Sequence, residues 1–313
     1  DLMTLTSEMV TLSATSFVYS GAAQTPDVTV ADGDNILTIN TNYDYVIKQG
    51  ETVVASPMNV VSYSVVVTGK GNYSGTVTQT FTIAAKELAS ATVTVDPTQT
   101  YTYTGSAITP NVSSVSIKLT EGAEGATNLT AGTDYTVTGY ANNTDAALAT
   151  AETNAPTVTI TGKGNFTGTA TGTFTIAQAK LSAVTIAAIG NQTYTGSQIT
   201  PEVTVTFNGN DVSTNDYNVV YGDNINAGEN AGTVTLTSKN KNFVTSTDED
   251  ATTKKTATFN IVAATAAITA TDQTVTFNGG AQEFTNYTIA NGTPRVTYYS
   301  SEEARTAQSG GKI

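Results

Sequence analysis

The acid and amine side chains that recur at fixed places are the first candidates for chemistry. Asp44-Tyr45, Asp134-Tyr135 and Asp216-Tyr217 form one recurring pair, and Lys70 and Lys163 return inside one recurring Gly-Lys-Gly-Asn turn. An Asp held near a lysine could assist an internal Lys–Asn crosslink, or it could ligate calcium. It could also cap the start of a strand while the Tyr packs inward, and turn chemistry favours that third reading. A crosslink needs a lysine kept dry and its pKa lowered by burial. Lys70 and Lys163 sit between glycines, at turn tips in water, so no crosslink is expected.

Other chemistry is limited by what the chain lacks. It has no Cys, no His and no Trp among 313 residues. That removes a Cys nucleophile, a Ser-His-Asp triad, a Cys/His zinc site and haem or iron–sulfur ligation through those residues. The 26 acids form no recognisable acid/base pair beside a cleft, which argues against a paired-carboxylate hydrolase. Asp32-Gly33-Asp34-Asn35 and Asp223-Asn224 are oxygen-rich, but they lack the ligand order of an EF-hand. No catalytic, cofactor-binding or metal-binding residue is therefore assigned, and no cofactor is expected.

The elements that position these residues come from a repeat. Thr68-Gly69-Lys70-Gly71-Asn72-Tyr73-Ser74-Gly75-Thr76 through Thr80-Phe81-Thr82-Ile83 returns as Thr161-Gly162-Lys163-Gly164-Asn165-Phe166-Thr167-Gly168-Thr169 through Thr173-Phe174-Thr175-Ile176. A looser copy runs from Thr237-Ser238-Lys239-Asn240-Lys241-Asn242-Phe243 to Phe259-Asn260-Ile261. The 93 residues between Lys70 and Lys163 match a whole small β domain rather than a solenoid unit. Apolar residues alternate on both sides of each turn, as in a strand with one buried face. Val65, Val67, Phe81, Ile83, Val158, Ile160, Phe174, Ile176, Val234, Leu236, Phe259 and Ile261 are thus the predicted core.

A second marker fixes the period. Tyr19-Ser20-Gly21, Tyr103-Thr104-Gly105, Tyr194-Thr195-Gly196 and Phe277-Asn278-Gly279 place their glycines 84, 91 and 83 residues apart. The four aromatics should occupy equivalent sites. Pro26, Pro110 and Pro201 follow the first three glycines and cannot donate to a ladder, so each belongs at an edge or a strand start. The resulting units are 1–84, 85–177, 178–263 and a partial 264–313, joined by short linkers in which Leu88 and Leu181 fill the joints. At about 3.3 Å per strand residue plus loops, such a series spans on the order of 120–140 Å.

Two insertions break the regularity: Pro110 to Asp134, with Glu121-Gly122-Ala123-Glu124-Gly125, and the charged tip between Phe243 and Phe259. The last unit carries the Val275 to Gly279 marker and a strand predicted over Val296 to Tyr299, but no closing Thr-Phe-Thr-Ile. It reads as a cut fourth domain whose open face calls for cover by a neighbour or by strand addition.

Together these markers resemble the bacterial Ig-like tandem repeats of the MBG/YDG type, found in secreted or cell-surface adhesin-like proteins. The resemblance implies tandem antiparallel β-sandwiches, an all-β fold, an extracellular or cell-surface location and no catalytic motif. The implied role is a structural or adhesive stalk, with a surface protein or glycan as partner. A carbohydrate-binding or spacer module is the alternative: Tyr is 15, but without Trp and with most Tyr at core positions. The net charge of −13 disfavours nucleic acid and anionic lipid, and no apolar run reaches the roughly 20 residues of a membrane helix. Weak self-association through the incomplete fourth repeat is also expected.

Overall fold

The computed structural model describes residues 2–239, 241–244, 254–276, 278–290 and 296–297. The chain is all-β, a series of two-layer sandwiches, and its helical content among the described residues is three single 3-10 turns. None of these is long and apolar enough to cross a membrane.

In the first repeat, one sheet runs in the order Ser16–Val18, Thr76–Ala84, Ser62–Gly69, Tyr43–Gln49, Thr52–Val53. The facing sheet is built from Val10–Leu12, Val28–Asp32 and Asn35–Ile36. The central hairpin pairs Val77 with Val67, Gln79 with Val65 and Phe81 with Tyr63. Side chains alternate across a strand, so Val65, Val67, Val77 and Phe81 enter the interior and their Thr and Ser neighbours meet water. Phe81 stacks on Tyr63 and takes the edge of Phe17. Every member of the buried cluster here lies between Leu5 and Ile83, so the repeat closes a core of its own.

The second repeat follows the same plan with Thr92–Val95, Val112–Ile117 and Thr127–Asn128 facing Tyr135–Ala141, Thr157–Gly162 and Thr169–Thr173. The third places Thr185–Ile186, Val205–Phe207 and Asn210–Asp211 in one sheet. Its other sheet holds Gln192–Thr193, Lys254–Val262, Gly228–Ser238 and Tyr217–Tyr221. All twelve predicted core residues are buried.

The sheets are not purely antiparallel, as the sequence had suggested. In each repeat the first strand leaves its sheet and its continuation lies parallel to the last strand: Ser16–Val18 on Thr82–Ala84, Tyr101–Thr102 on Ile176–Ala177, Gln192–Thr193 on Ile261–Val262. The chain crosses between the two layers at residues 13–15, 96–100 and 187–191. Both ends of the domain then run the same way, which leaves the pairing parallel. Pro26 and Pro110 are buried just ahead of Val28 and Val112, at strand starts.

The structure forms two compact units. Residues 1–180 with 240–244 make the first, and residues 181–239 with 245–313 the second. In the last stretch Ala267–Ala270 pairs antiparallel with Tyr287–Ala290, and Ile268 remains 63% exposed. Val296 and Thr297 are not in a strand, contrary to expectation, while Tyr298 and Tyr299 lie outside the described residues. So do Phe277 and the charged tip over 245–253.

Candidate functional site

The recurring turn is where the structure departs most from its reading as a plain exposed hairpin. Gly71 and Gly164 have φ of 63° and 64°, a region that favours glycine. Gly69 and Gly162 are needed for a different reason: a Cβ at Gly162 would stand 2.6 Å from the Thr167 backbone N. The chain doubles back so tightly there that the next residues, Tyr73–Ser74 or Phe166–Thr167, leave the hairpin as a short strand of their own.

That short strand receives the connecting segment. Lys86 and Glu87 pair in parallel with Phe166 and Thr167, and the Lys86 N–H donates to the Asn165 carbonyl at 3.0 Å. On the far side, the Asn165 Oδ1 accepts from the Val60 N–H at 2.9 Å, and its Nδ2 donates to the Asn59 Oδ1 at 3.3 Å. Tyr19 of the Tyr-x-Gly marker packs edge-on against Phe166, with ring centroids 5.4 Å apart. Leu119, from the insertion of the second repeat, covers Gly21 so closely that a Cβ there would meet its Cδ1 at 2.7 Å. The joint between the first two repeats is therefore a packed interface.

The same pattern appears again within the first unit, in residues Lys241–Val244. The Ala146 N–H donates to Asn242 Oδ1 at 2.8 Å, and Asn242 Nδ2 donates to Asp145 Oδ1 at 2.9 Å. Tyr103 packs edge-on against Phe243 at 5.4 Å, and the Ala179 N–H donates to the Asn242 carbonyl at 2.9 Å. Phe166 and Phe243 are 5% and 0% exposed. Leu88 and Leu181 are fully buried, but Leu88 sits in the core cluster of the second repeat rather than in the joint alone.

The three marker tyrosines are equivalent, as expected: the N–H groups of Tyr19, Tyr103 and Tyr194 donate to Ala84, Ala177 and Val262 at 2.8–2.9 Å. The Asp-Tyr alignment needs correction. Tyr43, not Tyr45, pairs with Gly69 as Tyr135 pairs with Gly162 and Tyr217 with Ser238. The equivalent of Asp134 and Asp216 is thus Asn42. Asn42 Oδ1 accepts from the Thr38 N–H at 2.9 Å, and Asp134 Oδ2 from the Thr130 N–H at 2.8 Å. Both close a turn ahead of a strand, which is the capping role. Asp44 instead forms an ion pair with Lys70 Nζ at 2.7 Å, both partners being almost half exposed. Lys163 and Lys239 reach the carbonyls of Gly132 and Thr214 at 2.7 and 2.8 Å. These lysines are exposed, yet anchored to the neighbouring turn rather than free in water.

The oxygen-rich loops are also engaged internally. Asp32 Oδ2 accepts from the Tyr73 hydroxyl at 3.2 Å. Asn224 is buried and bonds Ile199, Thr233 and the Thr233 N–H. Among the described residues no group of three acidic side chains could hold a metal ion.

A cavity of about 380 Å³ opens at the layer crossing of the second repeat, lined by Asp96, Gln99, Thr100, Tyr101, Phe174 and Thr175. Thr98 donates twice to Asp96 Oδ1, through its hydroxyl and its N–H, and holds the carboxyl below its ordinary range. Desolvation, then the Asp96 charge, raises the Tyr101 phenol.

No family model and no curated protein matches this chain. Solved structures that match include a protocadherin gammaB7 EC3-6 cis-dimer, at 11% identity and a TM-score of 0.23, covering 85% of this chain and 77% of that one. Another is protocadherin gamma B2 extracellular cadherin domains 1-5, at 9% identity and a TM-score of 0.23, covering 82% of this chain and 60% of that one.

Proposed function

We propose that this chain is a non-enzymatic structural and adhesive stalk segment of a bacterial surface or secreted protein, one that spaces or presents binding functions outside the cell. The observation that carries this reading is the packed joint at Tyr19, Val60, Asn165 and Phe166. A flexible tether needs no aromatic edge, no Asn lock and no strand pairing of its linker. A joint fixed in this way suits a stalk that spaces what it carries. The absence of His and Cys from the composition leaves little for catalysis to use.

Pulling the full chain by its ends tests this. The chain should unfold in discrete steps, each releasing one or more whole repeats of roughly 80 residues at about 3.4 Å per residue. Smooth extension without discrete steps would remove the stalk reading. A second reading, a carbohydrate-binding module, is favoured by the Tyr101 cavity, where a ring, a carboxylate and an amide converge. Glycan-array binding that disappears with Tyr101→Ala would establish it; an array blank with the unaltered chain would discard it.

A further inference from the structure

The layer crossing of the second repeat departs from the plan of the other repeats at two positions. Ser13 and Asp96 are equivalent, because their N–H groups donate to Asp27 and Asn111, each the residue after its marker proline. Phe17 and Tyr101 are equivalent too, since they pair with Ile83 and Ile176. In the first repeat Ser13 Oγ accepts from the Asp27 N–H at 2.8 Å, and Phe17 meets Phe81 edge-on with ring centroids 5.8 Å apart. The second repeat keeps the ring contact, Tyr101 against Phe174 at 5.7 Å, but sets a carboxyl and a phenol at the two positions. The crossing between them is also one residue longer. In the third repeat Gln192 pairs with Ile261 as Tyr101 does with Ile176, so the ring is lost there.

Both added groups have bonding capacity left over. Asp96 Oδ1 accepts the two hydrogen bonds from Thr98, and among the described residues none reaches Oδ2. The ion pairs of those residues use Asp44, Glu51 and Asp145, not Asp96. No Lys or Arg lines the cavity, whose wall continues through Gln99, Thr100, Thr173 and Thr175 over the buried Phe174. The bonds from Thr98 hold Asp96 ionised. An unmatched negative charge thus stands beside an aromatic ring and a row of hydroxyls, in a recess of about 380 Å³, toward the small end of ligand sites.

We propose that this cavity binds an amino sugar, with its protonated amine on Asp96 Oδ2, its ring against Tyr101 and its hydroxyls toward Gln99 and Thr175. The inference rests on the carbohydrate reading of the cavity and narrows it to glycans that carry free amines. Charge decides the class. An ammonium group gives Asp96 a charge-assisted hydrogen bond about twice as strong as the one a neutral hydroxyl gives, and it sits well over an aromatic ring. An acidic sugar is repelled by Asp96 and by the net charge of −13. An N-acetylated sugar has lost the cation and brings a carbonyl acceptor to a carboxylate that offers no proton, so it is rejected.

The test is calorimetric titration of the full chain with three tetramers: β-1,4-linked glucosamine, its N-acetylated counterpart, and cellotetraose. The glucosamine tetramer should bind most tightly. Asp96→Asn should weaken it about tenfold or more, the scale of one hydrogen bond to a charged group. Asn keeps an oxygen for Thr98, and an unchanged melting curve checks that the crossing stays folded. Glu124→Gln removes the same charge from an exposed loop residue and should leave the affinity unaltered. Equal weakening by Glu124→Gln overturns the proposal, because the attraction would then be diffuse. Equal affinity for all three tetramers, lost with Tyr101→Ala, overturns it while keeping the carbohydrate reading. Binding of none of them overturns it as well, and a blank glycan array beside that result removes the carbohydrate reading too.

Discussion

Tyr43, Tyr135 and Tyr217 open equivalent strands with their rings buried, and burial raises each phenol above its ordinary value. A raised value in the fold means the neutral phenol is preferred there. That contribution is fully present below the unfolded value near 10 and is lost as pH rises through the higher folded values. Thermal stability should thus fall steeply above about pH 10, and Tyr135→Phe should flatten the fall when melting is followed across that range. Beside Tyr43, Asn42 and Asp44 do different work. Removing Asn42 by Asn42→Ala leaves the Thr38 N–H without its acceptor and should cost about 1 kcal/mol in denaturant titration. Lys70→Ala should cost no more than about 0.5 kcal/mol, because its ion pair with Asp44 is half in water. The sequence offers Asn42-Tyr43-Asp44-Tyr45, in which either Tyr can be aligned with Tyr135. Only the ladder register resolves it, and the cap proves to need an oxygen acceptor rather than a charge.

At the scale of the element, the hairpin strands were legible and the tip was not. Period-two alternation is a direct imprint of burial on one face, so Val65, Val67, Val158 and Ile160 could be placed inside from residue types alone. Phe166 gave no such signal. An aromatic after Gly-Lys-Gly-Asn looks like the first residue of a returning strand, and its partner Tyr19 lies far away in sequence. The third tip disguises the pattern further: Lys239 and Asn242 are one residue farther apart than Lys70 and Asn72, yet Asn242 and Phe243 make the same contacts. The tightness of the turn is testable. Gly162→Ala drives a Cβ against the Thr167 and Phe166 backbone, which has no rotamer with which to yield. It should cost at least about 2 kcal/mol. Gly139→Ala, in the paired strand and with nothing near its Cβ, should change stability by less than about 0.5 kcal/mol.

At the scale of the whole molecule, two sandwiches share the first compact unit. Each closes a core cluster, and Tyr19 packs against both of them. The coupling between them is the sum of small terms. The Tyr19–Phe166 edge contact contributes about 0.5–1.5 kcal/mol beyond its area. The Val60 and Asn59 hydrogen bonds to Asn165 add about 0.5–1.5 kcal/mol each where they exclude water. A total on the order of a few kcal/mol is a large fraction of the stability of a single small domain. It is enough to make the two sandwiches melt together, although each has its own core. Calorimetry of the full chain should therefore show the first two repeats unfolding in one transition. Tyr19→Ala combined with Asn165→Ala should divide that transition into two, with the midpoint of the second repeat falling because it also loses the cover over Phe166. Neither substitution touches the second unit, whose transition should keep its midpoint. A single undivided transition in the double variant would mean that the cores, rather than the joint, set the cooperativity of this unit.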